Sequence, residues 1–239
     1  GSKMQLSYNV ENTQRAIGTR LSSHIVRRFG MTGLREGHIL VRLRGSAGQS
    51  LGAFATQGLR LDVIGDANDY VGKGLSGGMI VVRPSAAVGF VASANTIIGN
   101  TVLYGATSGK LFAAGQSGER LCVRNSGATA VVEGSGSNAC EYMTGGNVVI
   151  LGEVGDNFGA GMTGGMAFIY DDAGHFESRV NRESLQLLRI AHPHWENKLR
   201  DLVAEHARET ESALAARLLN QWDKAVQRFW KEVPDEIIQ

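Results

Sequence analysis

Residues 139–170 read ACEYMTGGNVVILGEVGDNFGAGMTGGMAFIY and contain one short phrase twice. MTGG at 143–146 precedes one apolar run, and MTGG at 162–165 precedes another, at an offset of 19 residues. Related phrases occur upstream, namely LSGG at 75–78, TSGK at 107–110 and NSGA at 125–128. A fixed period of this length indicates a repeat architecture.

Six glycines mark the phase of the repeat, with steps of 20, 31, 18, 19 and 19 residues. The step of 31 residues contains Pro84 and requires an insertion or an irregular unit. Glycine is expected at one phase because sharp bends need positive φ and stacked backbones approach each other closely. The predicted structural turns are therefore Gly58, Gly78, Gly109, Gly127, Gly146 and Gly165.

Each repeat consists of a short β-branched apolar run between glycines, with no stretch of the 10–12 or so residues that a helix needs. We therefore predict a mainly β protein, a right-handed parallel β-helix (solenoid) of about seven coils. A helix is predicted before it, within 12–29, with Asn12 as N-cap and Gly30 just past its end. Four apolar residues at four-residue spacing make this helix amphipathic: Ile17, Leu21, Ile25 and Phe29.

The last part of the chain differs in composition, because 175–239 contains no glycine. We predict a helix capped by Asn181 that carries Leu185 and Leu188, a restart at Pro193, and a last helix from Ser212 to Pro234. These helices are expected to cover the open ends of the stack. The predicted domains are an expression scar (1–4), an N-terminal segment with a helix (5–30), the glycine-rich β-helix (31–174) and a C-terminal helical tail packed on it (175–239).

Composition limits the classes of function. A net charge of +1 gives no basic surface for nucleic acid, and no apolar run reaches the 18 or so residues that would cross a membrane. Cys122 and Cys140 are too few for an iron-sulfur cluster and are interpreted as buried small side chains of a reduced, cytoplasmic protein.

Two short motifs imitate cofactor and metal sites. GKGLSG at 72–77 and GAGMTG at 159–164 fit the dinucleotide pattern G-x-G-x-x-G, but each precedes a strand-like run where that pattern needs a helix. We interpret both as bends. His192 and His194 flank Pro193 and are interpreted as a helix cap, since no further ligand stands at metal-binding spacing.

Long segments of the chain carry a resemblance to a known family. They are GSAGQSLGAF at 45–54, GDANDYVGKGLSGG at 65–78, IIGNTVLYGATSGKLFAAGQSGER at 97–120, VRNSGATAVVEG at 123–134, CEYMTGG at 140–146 and NFGAGMTGG at 157–165. With NTQRAIGTRLS at 12–22 and NQWDKAVQRFWKEVP at 220–234, they resemble the C-terminal glycine-repeat (GXGXG) β-helix domain of the glutamate synthase large (alpha) subunit.

The resemblance implies a parent oxidoreductase that makes glutamate from glutamine and 2-oxoglutarate. In that family a glutaminase domain uses an N-terminal cysteine, and a synthase domain carries FMN and an iron-sulfur cluster. This chain has neither that cysteine nor enough cysteines for a cluster. The resemblance therefore implies a non-catalytic structural domain that holds the glutaminase and synthase domains of the same subunit in place, with no catalytic residue, cofactor or metal of its own.

Polar residues that interrupt the repeat are the predicted contacts with those domains, and self-association through the same exposed residues is a further expectation. The predicted interface residues are Asp66, Asn68, Asp69, Lys73, Arg120, Arg124, Asn125, Asn138, Glu141 and Tyr142.

Two alternatives stay open. A carbohydrate-active enzyme on a β-solenoid predicts an exposed aromatic track, which the placement of Trp195, Trp222 and Trp230 in the tail disfavours. A β-helix subunit related to formylmethanofuran dehydrogenase would share the repeat without the long tail.

Overall fold

The computed structural model describes residues 3–183 and 185–234. Within them, twelve strands form one mixed sheet. The strands are β1 Met4–Val10, β2 Ile39–Ala47, β3 Leu59–Ala67, β4 Ser76–Arg83, β5 Thr96–Ile98, β6 Ser108–Ala113, β7 Gln116–Ser117, β8 Ser126–Val132, β9 Thr144–Ile150, β10 Gly164–Tyr170, β11 Leu185–Arg189 and β12 Phe229–Pro234. The helices are α1 Thr19–Phe29, α2 Pro193–Thr210, α3 Ala213–Asn220 and α4 Trp222–Ala225, and single 3₁₀ turns occupy Ala92–Ala94, Phe176–Ser178 and Val226–Arg228.

The strand order along the sheet is β1-β2-β3-β4-β6-β8-β9-β10-β12-β11. Neighbours from β1 to β10 are parallel, whereas β12 is antiparallel to both β10 and β11. The repeat is visible in the register, because Val148 of β9 pairs with Ala167 of β10 and Ile80 of β4 pairs with Leu111 of β6. The second pair spans the long step, whose extra residues form the loop at 84–95.

The predicted right-handed parallel β-helix of about seven coils is wrong. The described residues form a twelve-stranded mixed sheet with an antiparallel end and helices packed against it, which is an α/β-type arrangement. Most repeats contribute one long strand, and much of the remaining chain forms hydrogen-bonded turns between strands. The physical reason lies in the apolar runs: uninterrupted apolar strands are typical of sheets covered on both faces, one of them by helices.

Both faces of the central part of the sheet are buried. Alternate residues of the central strands point to the turns and α1, and the others point to α2, α3 and α4. The residues on the turn side include Ile80, Leu111, Ala130, Val148 and Ala167, and those on the helix side include Met79, Phe112, Val131, Val149 and Phe168. The sheet is therefore the middle layer of three.

The helices differ from the predictions at their ends. α1 begins at Thr19, well after Asn12, because Gly18 at its N-cap has a left-handed φ of 93° that ends the preceding turn. It ends at Phe29 with Gly30 just beyond, as predicted. The predicted helix through Leu185 and Leu188 is wrong, since these residues lie in β11, which pairs with β12.

The restart at Pro193 and the helix start at Ser212 are both confirmed. Ser212 Oγ accepts a hydrogen bond from the Ala215 N–H at 3.0 Å. The continuation of that helix to Pro234 is wrong, because the chain turns into β12 at Phe229. Residues 1–2 of the predicted scar and 235–239 of the predicted tail lie outside the described residues.

The helical tail covers one face of the sheet. The sequence instead predicted that the helices cover the open ends of the stack. Ion pairs attach α2 to the strands: Arg60 Nη1 lies 2.6 Å from Glu209 Oε2, and Lys110 Nζ lies 2.7 Å from Glu205 Oε1. None of the described helices is sufficiently long and apolar to span a bilayer.

Candidate functional site

The turns on the far side of the sheet from α2 stack on one another. We call the segments 48–55, 68–75, 99–106, 118–125, 136–143 and 155–162 the turn stack. Backbone hydrogen bonds of 2.7–3.3 Å join each segment to its neighbours, for example Arg120 N–H to Ser137 O and Cys140 N–H to Leu121 O. Each segment donates in both directions, so the stack is a continuous backbone network.

Left-handed backbone recurs at alternate residues throughout the turn stack. Arg120, Cys122 and Arg124 have φ of 60°, 60° and 54°, and Asn138, Cys140 and Tyr142 repeat this at 62°, 60° and 52°. Such φ values are uncommon outside glycine and cost about 1–3 kcal/mol each, so surrounding contacts must hold them. The other residues of the pattern are Ser50, Gly52, Phe54, Tyr70, Gly72, Gly74, Thr101, Leu103, Gly105, Asn157, Gly159 and Gly161.

A second series of glycines, which the sequence analysis missed, occupies the first position of four of these segments. A Cβ at Gly99 would lie 2.3 Å from Asp69 Oδ1, and one at Gly155 would lie 2.3 Å from the Ser137 backbone nitrogen. A Cβ at Gly118 would lie 2.4 Å from Asn100 Oδ1, and one at Gly136 would lie 2.9 Å from the Glu119 backbone nitrogen. The signal was present, because Gly99, Gly118, Gly136 and Gly155 are spaced by 19, 18 and 19 residues.

The predicted glycines lie next to the turn stack. All but Gly58 stand near the beginnings of β4, β6, β8, β9 and β10. Gly58, Gly109, Gly146 and Gly165 have left-handed φ of 91°, 100°, 92° and 86°. The two others have close neighbours: a Cβ would lie 2.2 Å from Thr107 O at Gly127 and 2.9 Å from Ala55 Cβ at Gly78.

Aromatic and charged side chains stand on the outer surface of the stack. Phe54 and Tyr142 are 55% and 56% exposed, and each ring lies against a glycine of the next segment, Gly74 and Gly161 respectively. Cations accompany the rings: Lys73 Nζ lies 5.8 Å from the centroid of Tyr70, and Arg124 Cζ lies 5.9 Å from that of Tyr142. These residues form a surface of exposed aromatic rings with positive charges beside them.

The structure brings half of the predicted interface residues together on two neighbouring segments, 118–125 and 136–143, where Asn157 of the next segment contacts them. Asn157 Nδ2 donates to Asn138 Oδ1 at 2.9 Å and to Glu141 Oε1 at 3.3 Å, beside the Arg124–Tyr142 pair. The Arg120 N–H binds the segment that carries Asn138. We call the group Arg120, Arg124, Asn138, Glu141 and Tyr142 the polar-aromatic patch.

The other predicted interface residues are placed differently. Asp66 is exposed near the end of β3, Asn68 is exposed directly after it, and Asp69 Oδ1 accepts the Asn100 N–H at 2.8 Å. Lys73 is exposed near Tyr70. Asn125 is fully buried, so its side chain is absent from the outer surface.

The chemistry of the interior is poor in reactive groups. Cys122 and Cys140 are fully buried, and burial raises the pKa of both thiols, which disfavours the thiolate. No three His, Cys, Asp or Glu side chains in the described ranges are grouped to hold a metal ion. Segments 72–77 and 159–164 run from the turn stack into the beginnings of strands β4 and β10, and no helix follows either of them, as the bend interpretation predicts. His192 caps α2, since its Nδ1 accepts the His194 N–H at 3.1 Å.

A buried polar cluster fixes the tail to the sheet. Glu133 follows β8, and its Oε1 accepts a hydrogen bond from Ser212 Oγ at the start of α3. His206 of α2 places Nε2 3.5 Å from the same oxygen. The partners of Glu133 lie more than 70 residues away in the chain, so no local sequence pattern indicates this cluster.

Parallel strands joined by stacked glycine-rich turns define a glycine-repeat protein. The family model described as GXGXG motif matches residues 1–235, and the chain belongs to that family. It is 64% identical over 238 residues to the glutamate synthase [NADPH] large chain of Azospirillum brasilense, covering 100% of this chain and 16% of that protein.

Further relatives carry related names. The ferredoxin-dependent glutamate synthase of Pyropia yezoensis is 49% identical over 227 residues, and the match covers 95% of this chain and 15% of that protein. The glutamate synthase [NADPH] large chain of Bacillus subtilis is 44% identical over 235 residues, covering 98% and 16%. The resemblance to the glutamate synthase large subunit is confirmed, and the chain spans about one sixth of the length of these relatives.

Proposed function

We propose that this chain is a non-catalytic domain of glutamate synthase that holds the glutaminase and FMN synthase domains of the same subunit in a fixed arrangement. The observation that carries the proposal is the polar-aromatic patch, in which Tyr142 is 56% exposed on a backbone network that fixes its position. The relatives are named glutamate synthases. The resemblance implies the parent reaction, from glutamine and 2-oxoglutarate to glutamate, and the other domains would carry the FMN and the iron-sulfur cluster.

The turn stack suits a contact surface because its side chains are ordered in advance. Tyr142 is held at φ 52°, its N–H binds Ala160 O at 2.9 Å, and its ring rests on Gly161. Binding then requires little further loss of conformational entropy, which is the term that most weakens flexible interfaces. Exposed Tyr and Arg side chains are also the residues that most often dominate binding energy.

The burial of both thiols supports a non-catalytic role. A cysteine nucleophile needs an accessible thiolate, and burial acts against both requirements at Cys122 and Cys140. Activity of the glutaminase type would have to come from another domain. Detectable glutamine hydrolysis by the purified 239-residue chain would therefore contradict the proposal.

The contact can be tested in trans. The chain is mixed with the Azospirillum brasilense large chain lacking its matching segment, and the dissociation constant is measured by calorimetry. We expect Tyr142→Ser and Arg124→Glu each to weaken binding about tenfold or more. The matched control is Phe90→Ser, which removes a ring that is 46% exposed on the loop at 84–95. Unchanged affinity in both patch variants would exclude this surface as the contact.

One observation favours the carbohydrate-binding alternative. Phe54, Tyr70 and Tyr142 are exposed rings of the turn stack, and rings of this kind also stack on sugars. Calorimetric titration with oligosaccharides separates the two functions, because a domain contact predicts no heat of binding, whereas a sugar site predicts heat that Tyr142→Ser removes.

A further inference from the structure

Strand β1 lies at one end of the sheet, and its outer edge has no partner strand among the described residues. Within the described residues β1 pairs with β2 alone. The Met4 N–H donates to His38 O at 2.9 Å, so the amides of Leu6, Tyr8 and Val10 also face β2. The N–H and C=O groups of Gln5, Ser7 and Asn9 therefore point away from the sheet.

This edge lacks the features that normally prevent strand addition. Proteins protect edge strands with charged residues, proline, bulges or short length. β1 is seven residues long, MQLSYNV, and contains neither charge nor proline. The opposite edge strand, β11, is five residues long and ends in Arg189, whose guanidinium stacks 3.4 Å from the centroid of Trp230.

An apolar groove adjoins the unpaired edge. It has a volume of about 420 Å³ and lies between β1, the first part of α1 with the residues before it, and the first halves of β2 and β3. Its lining includes Leu6, Val10, Ile17, Leu21, Leu43 and Leu61. Tyr8 lines the same groove and is 55% exposed. The apolar face of β1 is therefore open to solvent next to the edge where a further strand would pair.

The positive charge around β1 indicates which kind of strand would bind there. Residues 3–44 contain eight Lys and Arg against two Glu, a formal charge of +6, although the whole chain carries only +1. All eight cations are exposed, and none forms an ion pair with another described residue. Carboxylates on an incoming segment would be attracted to this end of the molecule.

We propose that β1 accepts an additional β-strand, with alternating apolar residues and flanking carboxylates, from another domain of the same large chain. Main-chain hydrogen bonds to Gln5, Ser7 and Asn9 would supply affinity, and apolar side chains would enter the groove beside Leu6 and Tyr8. The choice of occupant rests on the proposed function. It also rests on length, because about five sixths of each relative lies outside the matched region.

Amide hydrogen exchange tests the proposal directly. The exchange of Gln5, Ser7 and Asn9 is compared between the 239-residue chain and the Azospirillum brasilense large chain in which this sequence replaces the matching segment. We expect at least about 100-fold slower exchange in the large chain, as for a strand amide that gains a partner. The Leu6 amide, which faces β2, is the internal control, and equal exchange of Gln5, Ser7 and Asn9 in both settings would overturn the proposal.

Variants separate strand addition from general shielding. Ser7→Pro removes a donor that β2 does not use, so we expect the unfolding midpoint of the 239-residue chain to stay within about 4 °C. In the large chain it should restore fast exchange at Gln5 and Asn9, as should Arg42→Glu combined with Arg44→Glu. Continued slow exchange in both variants would overturn the proposal, and the comparison between unmodified chains stands even if a variant fails to fold.

Two further outcomes would show whether the edge binds a second copy of the chain, and whether strand addition fails separately from the proposed function. Protection that appears in the isolated chain and rises with protein concentration, together with a dimer in sedimentation, would assign the edge to a second copy and overturn the proposal. Fast exchange at β1 in a large chain that still binds through Tyr142 would overturn strand addition alone and leave the proposed function intact.

Discussion

The buried side chain of Asn125 occupies the space beside Gly146 of the next repeat. A Cβ at Gly146 would lie 2.7 Å from Asn125 Nδ2 and 2.3 Å from Ala128 O. The amide is itself held in place, because Nδ2 donates to Ala128 O and Oδ1 accepts the Ala128 N–H, both at 2.9 Å. Two neighbouring repeats therefore fit together only if one of them lacks a side chain at this point.

Gly146→Ala should lower the free energy of unfolding by about 2–4 kcal/mol, because it combines a left-handed φ of 92° with a clash against a backbone oxygen. Denaturant unfolding followed by circular dichroism measures the change. Gly89→Ala is the control, since no atom lies within 4 Å of its Cβ position. Equal stability of the two variants would show that close approach does not require glycine at 146.

Thr101→Asn should raise the free energy of unfolding by about 0.5–1 kcal/mol. Thr101 is β-branched and has a left-handed φ of 59°, which Asn adopts more readily than Thr. Asn138 and Asn157 occupy the equivalent place in two later segments with φ of 62° and 59°. Thr13→Asn, at an exposed position outside the left-handed set, controls for the change of side chain. A loss of stability at 101 would mean that Thr makes contacts worth more than the strain.

The sequence predicted the repeat because its period is local. The spacing of Gly109, Gly127, Gly146 and Gly165 is the register of the parallel strands, and it could be read without knowing any contact. The second glycine series, from Gly99 to Gly155, has the same spacing and was equally available. Such signals are strong because stacked backbones leave the same gap in every repeat.

The layer arrangement was harder to predict because it depends on distant partners. Val149 and Phe168 look like interior residues of any repeat, yet they face α2 to α4 across the sheet. The sequence pattern of Phe229–Pro234 predicts a helix. The segment forms strand β12 because it pairs with both β10 and β11. Tertiary pairing overrides local propensity in such segments.

The interface prediction met a similar limit. Asn125 and Tyr142 both interrupt the repeat with a polar side chain, so the sequence predicted both of them equally as interface residues. Asn125 is buried and bonds its own turn, whereas Tyr142 is exposed. Composition alone cannot separate a side chain that satisfies the backbone from one that faces solvent.

Cys122 and Cys140 should resist thiol reagents in the folded protein. Both are fully buried, and burial raises the pKa of both thiols. A reagent can therefore reach them only when the turn stack opens. We expect no labelling by a chromogenic disulfide reagent in native buffer and two equivalents after unfolding in denaturant. Rapid native labelling of either thiol would show that this part of the stack opens readily.

Glu232 is a buried carboxyl group at the antiparallel end of the sheet. It lies in β12 between Ala167 of β10 and Leu187 of β11 and is 0% exposed. Neither carboxyl oxygen has a hydrogen-bond partner among the described residues. Burial raises the pKa of Glu232 well above its ordinary value of 4.5.

The raised pKa of Glu232 makes stability depend on pH. The folded state holds the proton more tightly than the unfolded state, so the free energy of unfolding should fall as pH rises above about 4.5, by up to roughly 1.4 kcal/mol per pH unit, until the folded carboxyl ionises. Glu232→Gln should flatten that slope and make the protein more stable than the wild type at neutral and alkaline pH, as measured by denaturant unfolding from pH 5 to 9. Glu36→Gln makes the same change at an exposed position and should leave the profile within about 0.5 kcal/mol of the wild type. If Glu232→Gln and wild-type profiles are parallel, the carboxyl is ionised and solvated in the folded protein, and the cap formed by β10, β11 and β12 admits water.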